Sequence, residues 1–240
     1  MKTFLWVIVV LIILGGAGFG IWGYAKAQDA KKQAKELEQI TAGTMDLKKI
    51  DSNAVEISLS EWKNLSDKAP SMATELASIT LVPESLKNEV GDFYSAKAQD
   101  KYKEAQYLQV LLEAKRRLGL DAKAGAEKSK GQIETVLKEL DNLQNEVNQK
   151  NLSLGPEYDT QMKKLEQEVT TFKTSTSDLA SKMNFDSPSV QLNSAGLDRA
   201  IDELKMAVSK SLNDYVELQD KIKNEISGLA TGNWVNPLSS

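Results

Sequence analysis

The chain has no cysteine and no histidine. The first absence removes disulfides, thiolate metal sites and a lipid-bearing cysteine. The second removes the commonest metal ligand and the commonest general base at neutral pH. Arginine is scarce as well: Arg116, Arg117 and Arg199 are the only three among 30 basic residues. Net charge is −4, and lysines alternate with acids rather than forming a basic stripe, so no nucleic-acid partner is expected. There is no calcium-loop pattern, no Gly-x-Ser-x-Gly elbow and no dinucleotide fingerprint. The stretch Gly125-Ala-Glu-Lys-Ser-Lys-Gly131 lacks the Gly-Lys-Ser/Thr order of a phosphate loop, and no strand precedes it; it reads as a weak helix start. Carboxylate pairs such as Glu166 with Glu168, or Asp198 with Asp202, sit among lysines at helical spacing, the pattern of solvated, ion-paired faces. Serine and lysine are plentiful, yet nothing marks out a Ser–Lys pair. The expectation is a protein that is not an enzyme, with no catalytic, cofactor-binding or metal-ligating residues and no cofactor.

What the sequence does contain is one long uncharged run, Phe4 to Tyr24, 21 residues. At about 1.5 Å per residue a helix of this length spans roughly 30 Å, the thickness of a bilayer's hydrocarbon core. Ten of the eleven residues Phe4–Leu14 are Leu, Ile, Val or Phe, favouring insertion by roughly 5 kcal/mol. Trp6 lies near one end and Trp22 and Tyr24 at the other, where aromatic rings meet lipid headgroups. Gly16-x-x-x-Gly20 is the spacing at which two membrane helices approach closely, which points to a helix–helix contact and a homo-oligomer. Lys2 before the run and Ala25-Lys26-Ala27 after it would also suit a cleaved signal peptide, but the run exceeds the 7–15 apolar residues of such a segment. A retained anchor is the expectation.

Orientation pulls two ways. A Lys/Arg count favours a cytoplasmic C-terminal side, through Lys26, Lys31, Lys32 and Lys35. The short basic start followed at once by the apolar run is instead the form of a signal anchor, and a domain without Cys or His and rich in Asn, Gln, Ser and Thr suits the cell exterior. An exported domain is the expectation.

After the anchor, residues 25–57 read as a juxtamembrane helix, stopped near Thr41-Ala42-Gly43-Thr44, and a connector. Ser58-Leu59-Ser60-Glu61 is a capping box. The helix after it carries Trp62, Leu65 and Ala69 and is interrupted at Pro70. A long helix from Pro83 to about Leu118 carries Leu86, Val90 and Phe93 and then a broad stripe, including tyrosines Tyr94, Tyr102 and Tyr107 at a core edge with hydroxyls reaching water. Gly119 ends it. Val136, Leu140, Leu143 and Val147 mark the next helix. Tyr158, Met162, Leu165, Val169, Phe172, Thr176, Leu179 and Met183 then repeat at 4, 3, 4, 3, 4, 3, 4, a coiled-coil-like seam with one polar entry. Ser187-Pro188 breaks that helix and Ser194 caps the last, which runs from Leu197 to Gly228 or Gly232. Residues 231–240 form a tail in which Trp234 either tucks against the bundle or meets a partner.

The fold expected is therefore all-α: a single N-terminal transmembrane helix (1–24), the juxtamembrane segment (25–57), an elongated antiparallel helical bundle with coiled-coil-like seams (58–230) and a tail. The function expected is that of a membrane-anchored, non-catalytic structural or protein-interaction module of the cell envelope, its partners the lipid bilayer and a protein the sequence does not name. An anchor followed by a helical bundle also resembles, in architecture, the sensor region of methyl-accepting chemotaxis receptors. That resemblance implies a ligand-sensing bundle; those receptors, however, return through a second membrane helix to a signalling domain, and no second such run follows here. A cytoplasm-facing scaffold, its lysines on anionic lipid, is the third reading.

Overall fold

The computed structural model of the chain describes residues 26–51, 56–119, 127–149, 156–184 and 188–232. They are mostly helical: α1 (residues 26–41), α2 (Ser60–Ala77), α3 (Glu84–Phe93), α4 (Ala96–Arg117), α5 (Lys130–Gln149), α6 (Pro156–Lys182) and α7 (Ala195–Thr231), with two short strands, β1 (Glu127–Ser129) and β2 (Ser189–Gln191). No helix among the described residues is long and apolar enough to cross a membrane. The apolar run Phe4–Tyr24 lies outside them.

The chain divides into two compact units. Unit 1 gathers the described residues up to Asp46, Lys68–Ser95 and those from Leu218 onward; unit 2 comprises Leu47–Asp67 and Ala96–Glu217. In unit 1 the core is Leu37, Met72, Ile79, Val90, Phe93 and Ile222, all essentially inaccessible. In unit 2 it is built from Leu65, Leu108, Leu111, Ile133, Leu140, Leu143, Leu165, Leu204 and Leu212. Each such side chain contributes on the order of 2 kcal/mol through the apolar area it removes from water.

Contacts between helices give their directions in unit 2. Tyr158 donates to the Ala207 carbonyl at 3.0 Å, and Lys164 pairs with Glu203 at 2.5 Å. Glu168 lies against Gly196. Residue numbers rise on α6 as they fall on α7, so the two run antiparallel. Lys101 with Ser211 and Lys115 with Asp198 set the same relation between α4 and α7. The α6 seam is real at its centre: Leu165, Val169, Phe172 and Thr176 are buried, while Tyr158, Met162, Leu179 and Met183 are half-buried. Gly43 and Gly119 end α1 and α4 at φ of +79° and +65°, a region L-residues rarely occupy.

Several expectations are corrected. The helix expected from Pro83 to Leu118 is two helices, broken at Tyr94-Ser95. There the Tyr94 N–H reaches the Val90 carbonyl, and the Ser95 N–H and hydroxyl both reach the Asp92 carbonyl. Pro70 does not interrupt α2 but lies inside it. An internal proline costs roughly 3 kcal/mol, and burial of Trp62 and Leu65 on one side and Met72 and Leu76 on the other offsets that. The capping box at Ser58 is not formed as read: the Ser58 hydroxyl meets that of Ser60 at 2.9 Å. One half of such a box sits instead at Ser129, whose N–H donates to Gln132 Oε1 at 2.9 Å as α5 begins. The stretch before it is β1, paired antiparallel with β2 through Glu127–Gln191, Lys128–Val190 and Ser129–Ser189, not a weak helix start. Pro188 biases its neighbourhood to extended backbone and Val190 favours a strand.

The described part of the connector is not a spacer. Met45 and Leu47 are buried. Asn213 on α7 accepts from the Ile50 N–H at 2.7 Å and donates to its carbonyl at 3.0 Å, and Lys49 pairs with Glu217 at 2.8 Å.

Candidate functional site

The residues the sequence singles out, Trp6, Gly16, Gly20, Trp22, Tyr24 and Trp234, all lie outside the described residues. What the structure does place is where the helices next to them end. In unit 1 the ammonium of Lys31, in the second turn of α1, donates to the Thr231 carbonyl at 3.2 Å. Thr231 is the last residue of α7, and Gly232 follows at φ +84°. A cation on the unpaired carbonyls of a helix C-terminus is favourable both as a hydrogen bond and against the helix dipole. Two residues further, the Gln33 side chain accepts from the N–H groups of Thr80 (2.9 Å) and Leu81 (2.7 Å). The start of α1 is thus tied to the end of α7 and to the loop after α2. Sequence reading missed both ties, because neither Lys31 nor Gln33 lies on an apolar stripe.

Unit 2 holds three charged clusters. In the first, Lys101 Nζ lies 2.8 and 3.0 Å from the two Glu104 oxygens and 2.5 Å from Ser211 Oγ, while Ser211 donates to Glu104 Oε2 at 2.8 Å. Tyr215 covers the ammonium at 5.9 Å and stacks at a tilt on Trp62. Glu104 is only 5% exposed. This is the Ser–Lys proximity that composition left open, but its hydrogen bonds run the wrong way for a nucleophile. Activation requires the hydroxyl to donate to a neutral amine; here both hydroxyl and ammonium donate to the carboxylate. The arrangement is a closed, structural ion pair.

The second cluster joins Lys115 to Asp198 (2.9 Å) and Asp202 (2.9 Å), with Lys205 on Asp202 at 3.2 Å. Burial alone would lower the Lys115 pKa and raise that of Asp202, but the mutual hydrogen bonds outweigh it: Lys115 is raised and Asp202 lowered. Both stay charged at neutral pH. Far from two solvated carboxylates, Asp198 and Asp202 hold α4 to α7. The third cluster places Arg117 on Glu146 at 2.8 Å and near Glu139 at 3.6 Å; the Glu146 hydrogen bond leads in raising the arginine further.

Two tyrosines expected at the core edge are inside it. Tyr94 is buried, its hydroxyl 2.6 Å from that of Thr44, and its pKa is pushed up to about 12 by burial, which the Thr44 bond only partly offsets. Tyr107 is buried with its hydroxyl on the Met162 sulfur at 2.7 Å and is raised in the same way. Tyr102 stays half-buried.

An open cleft of about 830 Å³ at the start of α7 is lined by Asn193, Ser194, Asp198, Arg199, Glu203 and Met206, among others. Ser194 occupies the cap position through its carbonyl, which accepts from the Asp198 N–H at 2.8 Å; the capping side chain is that of Asn193, on the Ala195 N–H at 3.3 Å. Met206 is 54% exposed. Among the described residues no group of three or more acidic side chains is arranged to hold a metal ion. No family model, no curated protein and no solved structure matches this chain.

Proposed function

We propose that this protein is a membrane-anchored, non-catalytic helical bundle that serves the cell envelope as a structural or protein-interaction module. The observation that carries the reading is the uncharged run Phe4–Tyr24 placed directly ahead of a helical body. Support comes from how the polar side chains of that body are used. The buried or half-buried charges of Glu104, on Ser211, and of Asp202 and Arg117, on Lys115 and Glu146, join helix to helix, an arrangement that fixes register and adds no reactive group. The bundle faces the outside in this reading, following the signal-anchor form of residues 1–24.

The test is protease accessibility of a C-terminal epitope in intact cells and after lysis, with membrane pellets washed at alkaline pH. The expected result is a full-length band that stays in the washed pellet and is digested in intact cells. Release by the alkaline wash, or a band shorter by the first two dozen residues, would remove the anchor. Protection until lysis would turn the domain inward and favour the cytoplasm-facing scaffold. The ligand-sensing alternative draws on the cleft beside Met206 and Arg199; saturable binding of a small solute, lost in Arg199→Ala, would promote it.

A further inference from the structure

We propose that Met206 is a reversible oxidation site, whose substrate is hydrogen peroxide or a related small peroxide. The chain has no cysteine, so its six methionines hold all of its sulfur. A peroxide that meets this protein therefore finds thioethers, not thiols, as two-electron reductants. Among the described residues those thioethers differ in access. Met45 and Met72 are buried, and Met162 and Met183 are half-buried. The Met162 sulfur is also engaged, since it accepts from the Tyr107 hydroxyl at 2.7 Å. Met206 is 54% exposed and stands on the wall of the open cleft at the start of α7, where a small oxidant has free passage to its sulfur.

The step is an oxygen transfer. A lone pair of the Met206 sulfur attacks one peroxide oxygen, the O–O bond breaks and an S–O bond forms. The proton on the transferred oxygen passes to the departing one, which leaves as water; the sulfur loses two electrons and the peroxide gains them. The product is a polar sulfoxide in place of an apolar thioether. At position 206 the fold accommodates that change, because the new oxygen meets solvent and polar wall residues such as Asn193 and Arg199. At Met162 the same change would put an oxygen where a buried tyrosine now donates. Oxidation of Met206 therefore alters the surface of the cleft and leaves the core of unit 2 as it is. None of the residues involved belongs to the run Phe4–Tyr24, so the site stands whether or not that run is an anchor.

The test exposes the full-length protein in detergent micelles to dilute hydrogen peroxide, with catalase quenching at intervals, digestion and peptide mapping by mass spectrometry. The expected result is sulfoxide at position 206 at least about tenfold faster than at positions 45, 72 and 162, as access dictates. In urea the four rates should converge to within about twofold, because the fold and not the residue type sets the order. The urea midpoint should be unchanged when only position 206 has reacted, and the two stereospecific methionine sulfoxide reductases should restore the thioether. Met206→Leu should show the same midpoint as the parent. Folded-state rates at 206 within about twofold of those at the buried positions, or an earlier reaction at Met183, would overturn the assignment. A midpoint that falls as position 206 reacts would make Met206 a structural side chain and also overturn it. Sulfoxide that resists both reductases would rule out a reversible site.

Discussion

In unit 2, α4, α6 and α7 are joined by charged side chains at or below the surface: Lys101 and Glu104 with Ser211, Lys115 with Asp198 and Asp202, Lys164 with Glu203. In unit 1 the buried polar bond between elements is neutral, Thr44 with Tyr94, and the part-buried ion pair, Lys68 with Glu75 at 2.5 Å, lies within α2. The ion pair of unit 1 between α3 and α7, Lys221 with Glu89, is exposed on its lysine side. The difference is one of dependence on pairing. A buried charge left alone is strongly unfavourable, whereas a hydroxyl left alone loses one modest hydrogen bond. Substitution and acid should both strike unit 2 harder, and amide exchange measured unit by unit is the readout that separates them.

The largest expected effect is at Glu104. Glu104→Leu strands the Lys101 ammonium beneath Tyr215 and should destabilise unit 2 by about 3 kcal/mol. Replacing both partners, Lys101→Met with Glu104→Leu, should recover at least half of that, because no uncompensated charge remains. Urea unfolding followed by exchange in unit 2 gives both numbers. A single variant within about 0.5 kcal/mol of the parent would mean that the pair is idle, as exposed pairs often are, and the contrast between the units would collapse.

Alkali should erase the contrast that acid exposes. Tyr94 in unit 1 is held neutral by burial, with a folded pKa of about 12 against 10 in the unfolded chain. The folded form binds the proton more tightly, so its contribution is intact below pH 10 and is lost as pH rises from 10 to 12, by roughly 2–3 kcal/mol in all. Tyr107 in unit 2 is raised for the same reason, so both units should soften together. Tyr94→Phe should lose about 1 kcal/mol at neutral pH with the Thr44 bond and show a shallower decline above pH 10. Tyrosinate absorbance during the titration checks the assignment; a Tyr94 that ionises near pH 10 would refute the burial argument.

How much of this was legible in the sequence depends on which interactions decide each feature. Seams are dictated by apolar spacing, so the centre of α6 and the α7 stripe from Leu197 to Ile226 were readable. Gly119 was readable because its conformation excludes other residues. The break at Tyr94 was not, since Asp92-Phe-Tyr-Ser95 contains no glycine or proline, and the turn is stabilised by a partner, Thr44, 50 residues away. Pro70 misled in the opposite sense: a local rule favours a break, and burial on both sides overrides it. The β1–β2 pair and the grip of Asn213 on Ile50 are long-range bonds between short polar segments, which carry no periodicity to read. For the same reason the charged clusters looked like solvated faces: spacing places Asp198 and Asp202 on one side of α7, but only the approach of α4 makes that side an interface.

A smaller effect should run in the stabilising direction. Thr176 sits fully buried in the α6 seam with its hydroxyl unpartnered. By contrast, Thr170 and Thr174 on the same helix donate to carbonyls one turn back, at 2.9 and 3.0 Å. Thr176→Val keeps the shape and removes a desolvated hydroxyl, so a gain of about 1 kcal/mol is expected, seen as a higher urea midpoint with an unchanged slope. A loss instead would show that the hydroxyl is satisfied in solution, and that unit 2 tolerates fewer buried polar defects than its charged clusters imply.

The smallest effect tests the acid side. The lowered pKa of Asp202 means that its carboxylate is more stable in the folded chain, where it meets Lys115 and Lys205. That contribution is complete above the unfolded value near 4 and disappears as pH falls through the lower folded one. Because the side chain is about a third exposed, solvent screening should hold the contribution below about 1 kcal/mol. Asp202→Asn should therefore cost little at neutral pH and flatten the decline of unit 2 below pH 4, leaving unit 1 unchanged. Added salt should shrink the difference between parent and variant, since a partly exposed pair is screened within about 10 Å at 0.1 M. If instead unit 1 exchanged first on acidification, carboxylates outside the buried clusters would be governing acid stability, and the distinction between charged and neutral joins would have no thermodynamic consequence.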